Sequence, residues 1–193
     1  VYVCGADTVH RRCVEVLDAI GERHETVFLE RKTPLVLEDT PLGSRRGRKQ
    51  SEAGLQPGDA VIAFSRKDVL TLSARYRAQG LSVATIYGAL APEVRRTESE
   101  RFASGEADVV VATDAIGMGL NLPVRRTIFS TVHKFDGVEV RPLNAAEVQQ
   151  IAGRAGRFGL HDEGRVTTLD REDLGHVRRM LAEPQPKMRS ALT

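Results

Sequence analysis

Asp108-Val109-Val110-Val111-Ala112-Thr113-Asp114 is the stretch that decides the fold of this chain. Four consecutive apolar residues between polar flanks are typical of a strand that is buried on both faces of a parallel sheet. Similar apolar runs lie on either side of it, at residues 60–64, 82–87, 126–130 and 164–169. Between them we predict helices near residues 67–79 and 92–103, and another that begins at Asn144 or Ala145. This alternation predicts an α/β fold, with helices on both faces of a parallel sheet.

The composition fits one such domain with short appendages. The chain has 193 residues, of which 41% are hydrophobic, and a formal net charge of +2. Cys4 and Cys13 do not have the spacing of metal ligands, so we expect reduced thiols and no metal. There is no signal peptide and no apolar run near the roughly 20 residues that cross a bilayer, so we expect no membrane partner. Because the chain begins at Val1 without an initiator Met, we expect a piece of a longer protein.

The N-terminal part is predicted to be less regular. We expect a strand at residues 1–4, a helix from Thr8 to Gly21, and a second strand at residues 26–29. From residue 31 to residue 57, Pro, Gly and charged residues predominate, which is typical of a linker, and residues 45–49 are strongly basic. The division that follows is 1–30, a linker at 31–57, a main domain at 58–184 and a frayed tail at 185–193.

Gln150-Ile151-Ala152-Gly153-Arg154-Ala155-Gly156-Arg157 is the first candidate for chemistry. We predict that it lies at the start of a helix, where Arg154 and Arg157 would share one face with Gln150, one turn earlier. The small residues between them would let a polyphosphate approach the backbone closely. Two guanidiniums placed in this way can stabilise a phosphoryl group in transfer, as an arginine finger does. A solvated basic helix is the alternative.

A second candidate follows the apolar strand at residues 109–112. Thr113 can donate a hydrogen bond to a nucleic-acid phosphate, and Asp114 can orient its neighbours or accept from a ribose hydroxyl. Gly117 and Gly119 permit a positive φ and a bare backbone beside a ligand. An ordinary turn between a strand and a helix is the alternative. Ligands of parallel sheets bind at the carboxyl ends of the strands, and we predict that both glycine-rich segments lie there.

A third, weaker candidate is Phe64-Ser65-Arg66-Lys67, at the end of the first strand of the main domain. Ser65 and the start of the following helix can hold a phosphate, with the cations of Arg66 and Lys67 nearby. A simple helix cap is the alternative. Tyr87 ends the next strand, where it either contributes to the site or packs at the edge of the sheet.

Together these residues resemble the conserved motifs in the C-terminal RecA-like domain of superfamily 2 helicases. Phe64-Ser65 resembles motif IV, Thr113-Asp114 with Gly119 resembles motif V, and residues 150–157 resemble motif VI. More narrowly, residues 112–122 and 150–158 are similar to the mitochondrial RNA-degradosome helicases of the suppressor-of-Var type, which also occur in bacteria. The resemblance covers residues 1–184.

The resemblance implies a RecA-like fold, with residues 1–30 as the closing strand and helix of a preceding RecA-like domain. Neither a Gly-x-x-x-x-Gly-Lys-Ser/Thr loop nor an acidic Asp-Glu-x-Asp/His tetrad occurs in the chain. The chain is therefore expected to supply half of an ATPase site, with ATP and Mg²⁺ held mainly by the absent N-terminal RecA-like domain. On this basis we expect Arg154, Arg157 and Gln150 to be catalytic, Gly117, Gly119, Asp114 and Gly153 to contact the nucleotide, and Ser65, Arg66, Lys67 and Thr113 to contact nucleic acid.

The function implied is that of a motor domain of an ATP-dependent RNA helicase, inactive by itself. Its partners would be the RNA backbone, the N-terminal domain and, as a candidate, an exoribonuclease. Two alternatives stay open: a DNA helicase domain and a non-catalytic nucleic-acid-binding scaffold. Residues 132–140 predict a hairpin, either a strand-separating pin or a plain surface hairpin. Heavy use of Arg over Lys favours a bacterial source and a cytoplasmic location, with a mitochondrial one if the source is eukaryotic.

Overall fold

The computed structural model of the chain describes residues 7–44, 54–114, 121–157 and 159–184. They belong to two compact units, Val1–Arg31 with Glu183–Thr193, and Lys32–Ala182. The strands are β1 (Leu35–Leu37), β2 (Asp59–Ala63), β3 (Val83–Ile86), β4 (Val109–Thr113), β5 (Arg126–Phe129), β6 (His133–Phe135), β7 (Val140–Pro142) and β8 (Gly164–Thr168). The helices are α1 (Asp7–Ala19), α2 (Arg66–Ala78), α3 (Pro92–Ala103), α4 (Ala145–Ala152) and α5 (Arg171–Ala182), with a short 3-10 turn at Leu42–Ser44.

Six strands of the larger unit form one parallel sheet. Their order is β1-β8-β5-β2-β4-β3, and every neighbouring pair is parallel. The apolar β4 lies between β2 and β3, and its Thr113 is opposite Ala63, the last residue of β2. The predicted parallel sheet is therefore confirmed, and the carboxyl ends of β2 and β4 are neighbours at one edge.

The sheet is covered on both faces because successive strand residues point to opposite sides. One core contains Ile62 and Val110 from the strands, and it is completed by Phe102 of α3, Val148 of α4 and Val177 of α5. The other core contains Val61 and Val111 from the same strands, together with Val69 and Tyr76 of α2. The predicted layers of helices on both faces are therefore confirmed.

The predicted linker at residues 31–57 contains part of the sheet. Leu35 pairs with Gly164 and Leu37 with Val166, which makes β1 an edge strand beside β8. The apolar run of β1 is only three residues long, its side chains are partly exposed, and it lies among Pro, Gly and charged residues, so its surroundings resemble a linker. For the same reason β8 does not close the sheet, as we expected of residues 164–169, but lies inside it. Helix α5 was not predicted.

The smaller unit differs from its prediction at one described segment. Helix α1 forms as expected, and Gly21 follows it with a φ of +71°. Residues 26–29 are not a strand, and Val27, Phe28 and Leu29 are 68%, 70% and 88% exposed. An isolated strand is not stable without a hydrogen-bonded neighbour. The predicted strand at 1–4, the basic stretch at 45–49 and the tail at 185–193 lie outside the described residues.

A buried ion cluster stabilises the amino-terminal edge of the sheet. Asp59 is fully buried at the start of β2 and accepts hydrogen bonds from Arg125, at 2.9 Å, and from Arg126. Arg126 also contacts Glu38 at 3.2 Å and donates to the carbonyl of Gly54. Burial by itself lowers the pKa of Arg126, but the hydrogen bond and negative charge of Asp59 outweigh it, and the pKa is raised. The cluster thus ties β2, β5 and the segment before β2 together.

Candidate functional site

Two strand ends bring several predicted site residues to the carboxyl-terminal edge of the sheet. Thr113 ends β4, and Asp114 follows it directly. Ser65 lies two residues beyond the end of β2, the strand that pairs with β4. The first turn of α2, with Arg66 and Lys67, begins at the same edge, and both side chains are exposed. All the candidates for nucleic-acid contact therefore lie at one edge.

The hydroxyl of Ser65 caps α2. It accepts a hydrogen bond from the backbone nitrogen of Asp68 at 3.0 Å and donates to the carboxylate of Asp68 at 2.6 Å. The guanidinium of Arg66 lies 5.2 Å from the ring centre of Tyr87, in a cation–π arrangement. Tyr87 itself packs against the core on the α2 side of the sheet. The helix-cap alternative thus describes Ser65, while the exposed start of α2 still offers two cations.

Arg154 and Arg157 do not lie on a helix, contrary to prediction, and we call residues 154–157 the arginine segment. Helix α4 ends at Ala152, and the backbone nitrogen of its cap, Gly153, donates to the carbonyls of Gln149 and Ile151. Arg154 and Arg157 follow in a turn, so helical spacing does not place them on a common face with Gln150. The local reason is glycine, which has a low helix propensity and commonly lies at helix ends.

Gly156 packs the arginine segment against the amino-terminal edge of the sheet. Its backbone nitrogen donates to the carbonyl of Val124 at 2.9 Å, just before β5. Its φ is +74°, and a β-carbon at this position would lie 2.4 Å from the nitrogen of Gly164, the first residue of β8. The prediction that this segment lies at the carboxyl ends of the strands is therefore wrong. Glycine is required at position 156 because the edge of the sheet leaves no space for a side chain.

The candidates for nucleic-acid contact thus lie at the carboxyl-terminal edge of the sheet and the arginine segment at the amino-terminal edge. Helix α4 runs between the two edges. Gln150 is exposed near the end of α4. The guanidinium of Arg157 is half-buried and donates to the carbonyl of Asn121 at 3.3 Å. Asn121 is the first described residue after Asp114, which follows β4. Arg157 therefore contacts the described chain where it resumes after Asp114.

A network of charges holds the first turn of α4. Glu147 accepts two hydrogen bonds from the guanidinium of Arg141, at 2.9 and 3.0 Å, and pairs with Lys134 at 2.8 Å. Lys134 also lies 3.4 Å from the carboxylate of Asp114, and Arg141 lies 3.0 Å from Asp136. The hydrogen bonds from Arg141, with those from Lys134 and the backbone of Asn144, together lower the pKa of Glu147 to about 2 against the opposing effect of burial.

Sequence reasoning missed this network, although one signal was present. Asn144-x-x-Glu147 has the pattern of a capping box. In the structure, Asn144 accepts from the backbone nitrogen of Glu147 at 3.0 Å, and Glu147 accepts from that of Asn144 at 2.9 Å. The pattern predicts the start of α4, but it does not indicate that Lys134 and Arg141 converge on the same carboxylate.

Comparison with known proteins now identifies the fold and the motifs. Residues 50–159 match the model of a family described as the helicase conserved C-terminal domain. The chain belongs to this family. The matched span contains both edges of the candidate site, from the start of α2 to the arginine segment. The recognition of a superfamily 2 helicase domain from motifs IV, V and VI is thereby confirmed.

Relatives of this helicase C-terminal domain are mitochondrial RNA helicases. It is 38% identical to the DExH-box ATP-dependent RNA helicase DExH16 of Arabidopsis thaliana, over 99% of the chain and 33% of the relative. It is 36% identical to ATP-dependent RNA helicase SUPV3L1 of Mus musculus, over 99% of the chain and 25% of the relative. It is 35% identical to ATP-dependent RNA helicase SUV3 of Saccharomyces cerevisiae, over the whole chain and 26% of the relative. The chain thus spans a quarter to a third of their length.

Solved structures show the same fold at low identity. The C-terminal domain of the DEAD-box protein Dbp5 matches with a TM-score of 0.53 and 17% identity, over 68% of this chain and 74% of that one. The Escherichia coli DEAD-box protein SrmB, bound to regulator of ribonuclease activity A, matches with a TM-score of 0.54 and 21% identity, over 72% of this chain and 84% of that one. The helicase C-terminal domain therefore has the expected RecA-like fold.

Four observations complete the description of this helicase C-terminal domain. Strands β6 and β7 form the predicted hairpin, with Gly137 in its turn at a φ of +106°. Gly117 and Gly119, which were expected to contact the nucleotide, lie outside the described residues. Within the described ranges there is no group of three or more His, Cys, Asp or Glu side chains that could hold a metal ion. In the same ranges no helix is long and apolar enough to span a bilayer.

Proposed function

We propose that this chain is the C-terminal motor domain of an ATP-dependent RNA helicase. The observation that carries the proposal is the match of nearly the whole chain, at 35–38% identity, to three proteins named as ATP-dependent RNA helicases. Because the chain spans only part of their length, the rest of the machinery is assigned to a larger enzyme. Residues 1–30 would close a preceding RecA-like domain of that enzyme.

The arginine segment is proposed to face the ATP site between the two domains. Arg154 and Arg157 would be the arginine fingers, with the exposed amide of Gln150 beside them. A guanidinium has five N–H donors, and the contact from Arg157 to Asn121 uses one nitrogen, so the side chain suits phosphate oxygens. Gly117, Gly119 and Gly153 remain candidates for contact with the nucleotide.

ATP with Mg²⁺ would supply the phosphoryl group that is transferred to water, and the preceding domain would hold most of it. The residues of this chain would present positive charge where negative charge develops. Exposed apolar side chains on the smaller unit support a covering domain: Val16, Ile20, Val27, Phe28 and Leu29. Such a group is unusual on a surface that faces water.

The carboxyl-terminal edge is proposed to hold the nucleic-acid backbone. Arg66 and Lys67 at the exposed start of α2, with Ser65 and Thr113 beside them, offer cations and hydroxyl groups to phosphates. Contacts of this kind do not read base identity, and binding would weaken as salt increases. Asp114 is near Lys134, which favours a role in orienting its neighbours over one in binding nucleotide.

The remaining assignments follow from the same family. An exoribonuclease is a candidate partner, because the resemblance is to helicases of RNA degradation. We infer a cytoplasmic location in a bacterial source and a mitochondrial location in a eukaryotic one. An RNA substrate is favoured over DNA by the names of the relatives, and unwinding of matched RNA and DNA duplexes would test this choice.

Substitution of Arg157 by Ala in the full-length enzyme tests the proposed function. RNA-stimulated ATP hydrolysis should fall by roughly a thousandfold, the range found for arginine fingers, because charge on the phosphoryl group loses its partner. RNA affinity, measured by fluorescence anisotropy, should stay within about twofold because the arginine is remote from the backbone-binding edge. Arg178→Ala, at an exposed arginine of α5, is the matched control. An unchanged rate in Arg157→Ala would remove Arg157 from this role.

A further inference from the structure

Helix α4 connects the two edges of the sheet that the proposed function assigns to different ligands. It begins at Ala145, next to the β6–β7 hairpin, and its cap at Gly153 leads into the arginine segment at the opposite edge. Eight residues span about 12 Å, and rigid secondary elements of this kind can carry energetic coupling between two sites. Its apolar side, which includes Val148 and Ile151, is buried in the core. We therefore expect a displacement of the first turn of α4 to reach its last turn.

Glu147 is the residue of α4 that contacts the carboxyl-terminal edge of the sheet through charged side chains. Its carboxylate is held on one side by Arg141 of β7 and on the other by Lys134 of β6, and Lys134 extends the contact to Asp114 after β4. The Glu147 side chain is only 20% exposed, so water and salt screen these contacts less than at an open surface. Both strands of the hairpin thus contact one side chain, and the segment after β4 is linked to it through Lys134.

The face of α4 that carries Glu147 also carries Gln150, three residues later. The neighbouring face is attached to α5, where Gln149 donates to the carbonyl of Met180 at 3.0 Å. The ring of His176 on α5 also lies 2.7 Å from the carbonyl of Leu143, before the start of α4. The neighbouring face of α4 is therefore bonded to α5, while Glu147 contacts the hairpin directly and Asp114 through Lys134.

We propose that Glu147 is a positioning residue that couples the hairpin and Asp114, at the nucleic-acid edge, to the arginine segment at the nucleotide edge. The proposal rests on the function assigned above. A nucleic-acid backbone bound at the carboxyl-terminal edge displaces the hairpin or the end of β4. Lys134 and Arg141 pass this displacement to Glu147. Helix α4 then shifts Gln150 and the arginine segment that follows it. Because the low pKa of Glu147 keeps its carboxylate ionised at neutral pH, the coupling is present under ordinary conditions.

Glu147→Gln in the full-length enzyme is the central test. Gln keeps the size of the side chain and can still accept a bond from Asn144, so the capping box is retained while the charge is lost. The RNA-stimulated kcat should fall about tenfold, as for other losses of coupling between sites, with little change in the KM for ATP. Asn144→Ala is the matched control, since it weakens the start of the same helix but leaves the charge contacts. It should retain the ratio of RNA-stimulated to basal rate.

A second pair of variants separates charge from packing. Arg141→Met should lower the stimulation ratio as Glu147→Gln does, and Arg141→Lys should restore most of it. Combining Arg141→Met with Glu147→Gln should lower it little further, because both remove one link. If instead the two variants and Asn144→Ala reduce the rate in proportion to their loss of thermal stability, Glu147 has only a structural role and the proposal is wrong.

Hydrogen exchange distinguishes failure of the coupling from failure of the proposed function. In the full-length protein, Glu147→Gln should speed exchange of the backbone amides at residues 151–157, at the far end of α4, whereas Asn144→Ala should speed it only in the first turn. Equal protection of residues 151–157 in wild type and Glu147→Gln would overturn the coupling whatever the enzymatic result. A wild-type enzyme without RNA-stimulated ATP hydrolysis would overturn the proposed function, and the exchange result would still decide the link.

Discussion

Gly156 has a backbone conformation and a lack of space for a β-carbon that together require glycine. Its φ of +74° is in the left-handed region, and the position of a β-carbon is already occupied by the backbone of Gly164 and by the side chain of Thr33. From the sequence, small residues among arginines suggested a close approach by a phosphate. The structure shows that the close approach is by the amino-terminal edge of the protein's own sheet. The glycine therefore determines where the arginine segment docks.

Gly156→Ala is expected to lower the free energy of unfolding of the chain by about 3 kcal/mol or more, because strained backbone and a steric clash add together. Urea unfolding followed by circular dichroism would measure the loss. Gly105→Ala is the control, since Gly105 has a similar φ of +80° but no atom within 4 Å of the added β-carbon. It should cost about 1 kcal/mol. Equal losses in the two variants would contradict the docking role of Gly156.

At the scale of elements, the strands are held at their amino-terminal ends by charge as well as by apolar packing. Asp59 begins β2 and Arg126 begins β5, while Glu38, which pairs with Arg126, follows the carboxyl-terminal end of the short edge strand β1. A buried carboxylate is tolerated only when it is paired and hydrogen-bonded, and both guanidiniums at positions 125 and 126 serve this one. This cluster connects the sheet at the edge on which the arginine segment docks.

Asp59→Ala should destabilise the chain by about 3 kcal/mol or more, because it removes the buried carboxylate that Arg125 and Arg126 share and leaves Arg126 with Glu38 alone. Thermal and urea unfolding would both report the change. Asp39→Ala tests an ion pair at the surface, since Asp39 is 94% exposed and lies 3.2 Å from Arg178. That variant should stay within about 0.5 kcal/mol of wild type. A loss at Asp59 as small as that at Asp39 would show that the cluster contributes little.

At the scale of the whole molecule, the described residues form two compact units, and the larger contains the sheet and both candidate edges. The chain matches a quarter to a third of the length of its helicase relatives. It also lacks the sequence pattern of a phosphate-cradling loop and the acidic tetrad that ATP hydrolysis requires. Under the proposed function, the chain would supply one wall of a site whose other wall would lie on a separate domain.

The chain by itself is accordingly expected to show no ATP hydrolysis above background, with or without RNA. A coupled assay at saturating ATP and Mg²⁺ would measure this, with the full-length enzyme as the positive control. Contaminating activity can be recognised because it would be equal in the chain and in its Arg157→Ala variant. Turnover that disappears in Arg157→Ala would mean that the chain holds a complete site, and the division of the site between two domains would be wrong.

The local sequence was sufficient for most of the larger unit. The apolar run at residues 109–112 and the similar runs around it predict the parallel sheet, because only strands buried on both faces are apolar throughout. Pro92 marks the start of α3 and Ser65 the start of α2, since both signals act within one turn of a helix. The amino-acid sequence of residues 112–122 and 150–158 was also enough to identify the family.

Tertiary structure alone decided where these pieces meet. Strand β1 is a strand only because β8 lies beside it, and residues 26–29 are not one although their pattern suggested it. The arginine segment lies at the amino-terminal edge because Gly156 fits against Gly164, and Glu147 gathers Lys134 and Arg141 because a hairpin folds over the start of α4. Periodicity and spacing report the surroundings of a residue within a turn or a strand, whereas these contacts join segments distant in sequence. The motifs could thus be read from the chain, but their division between two edges could not.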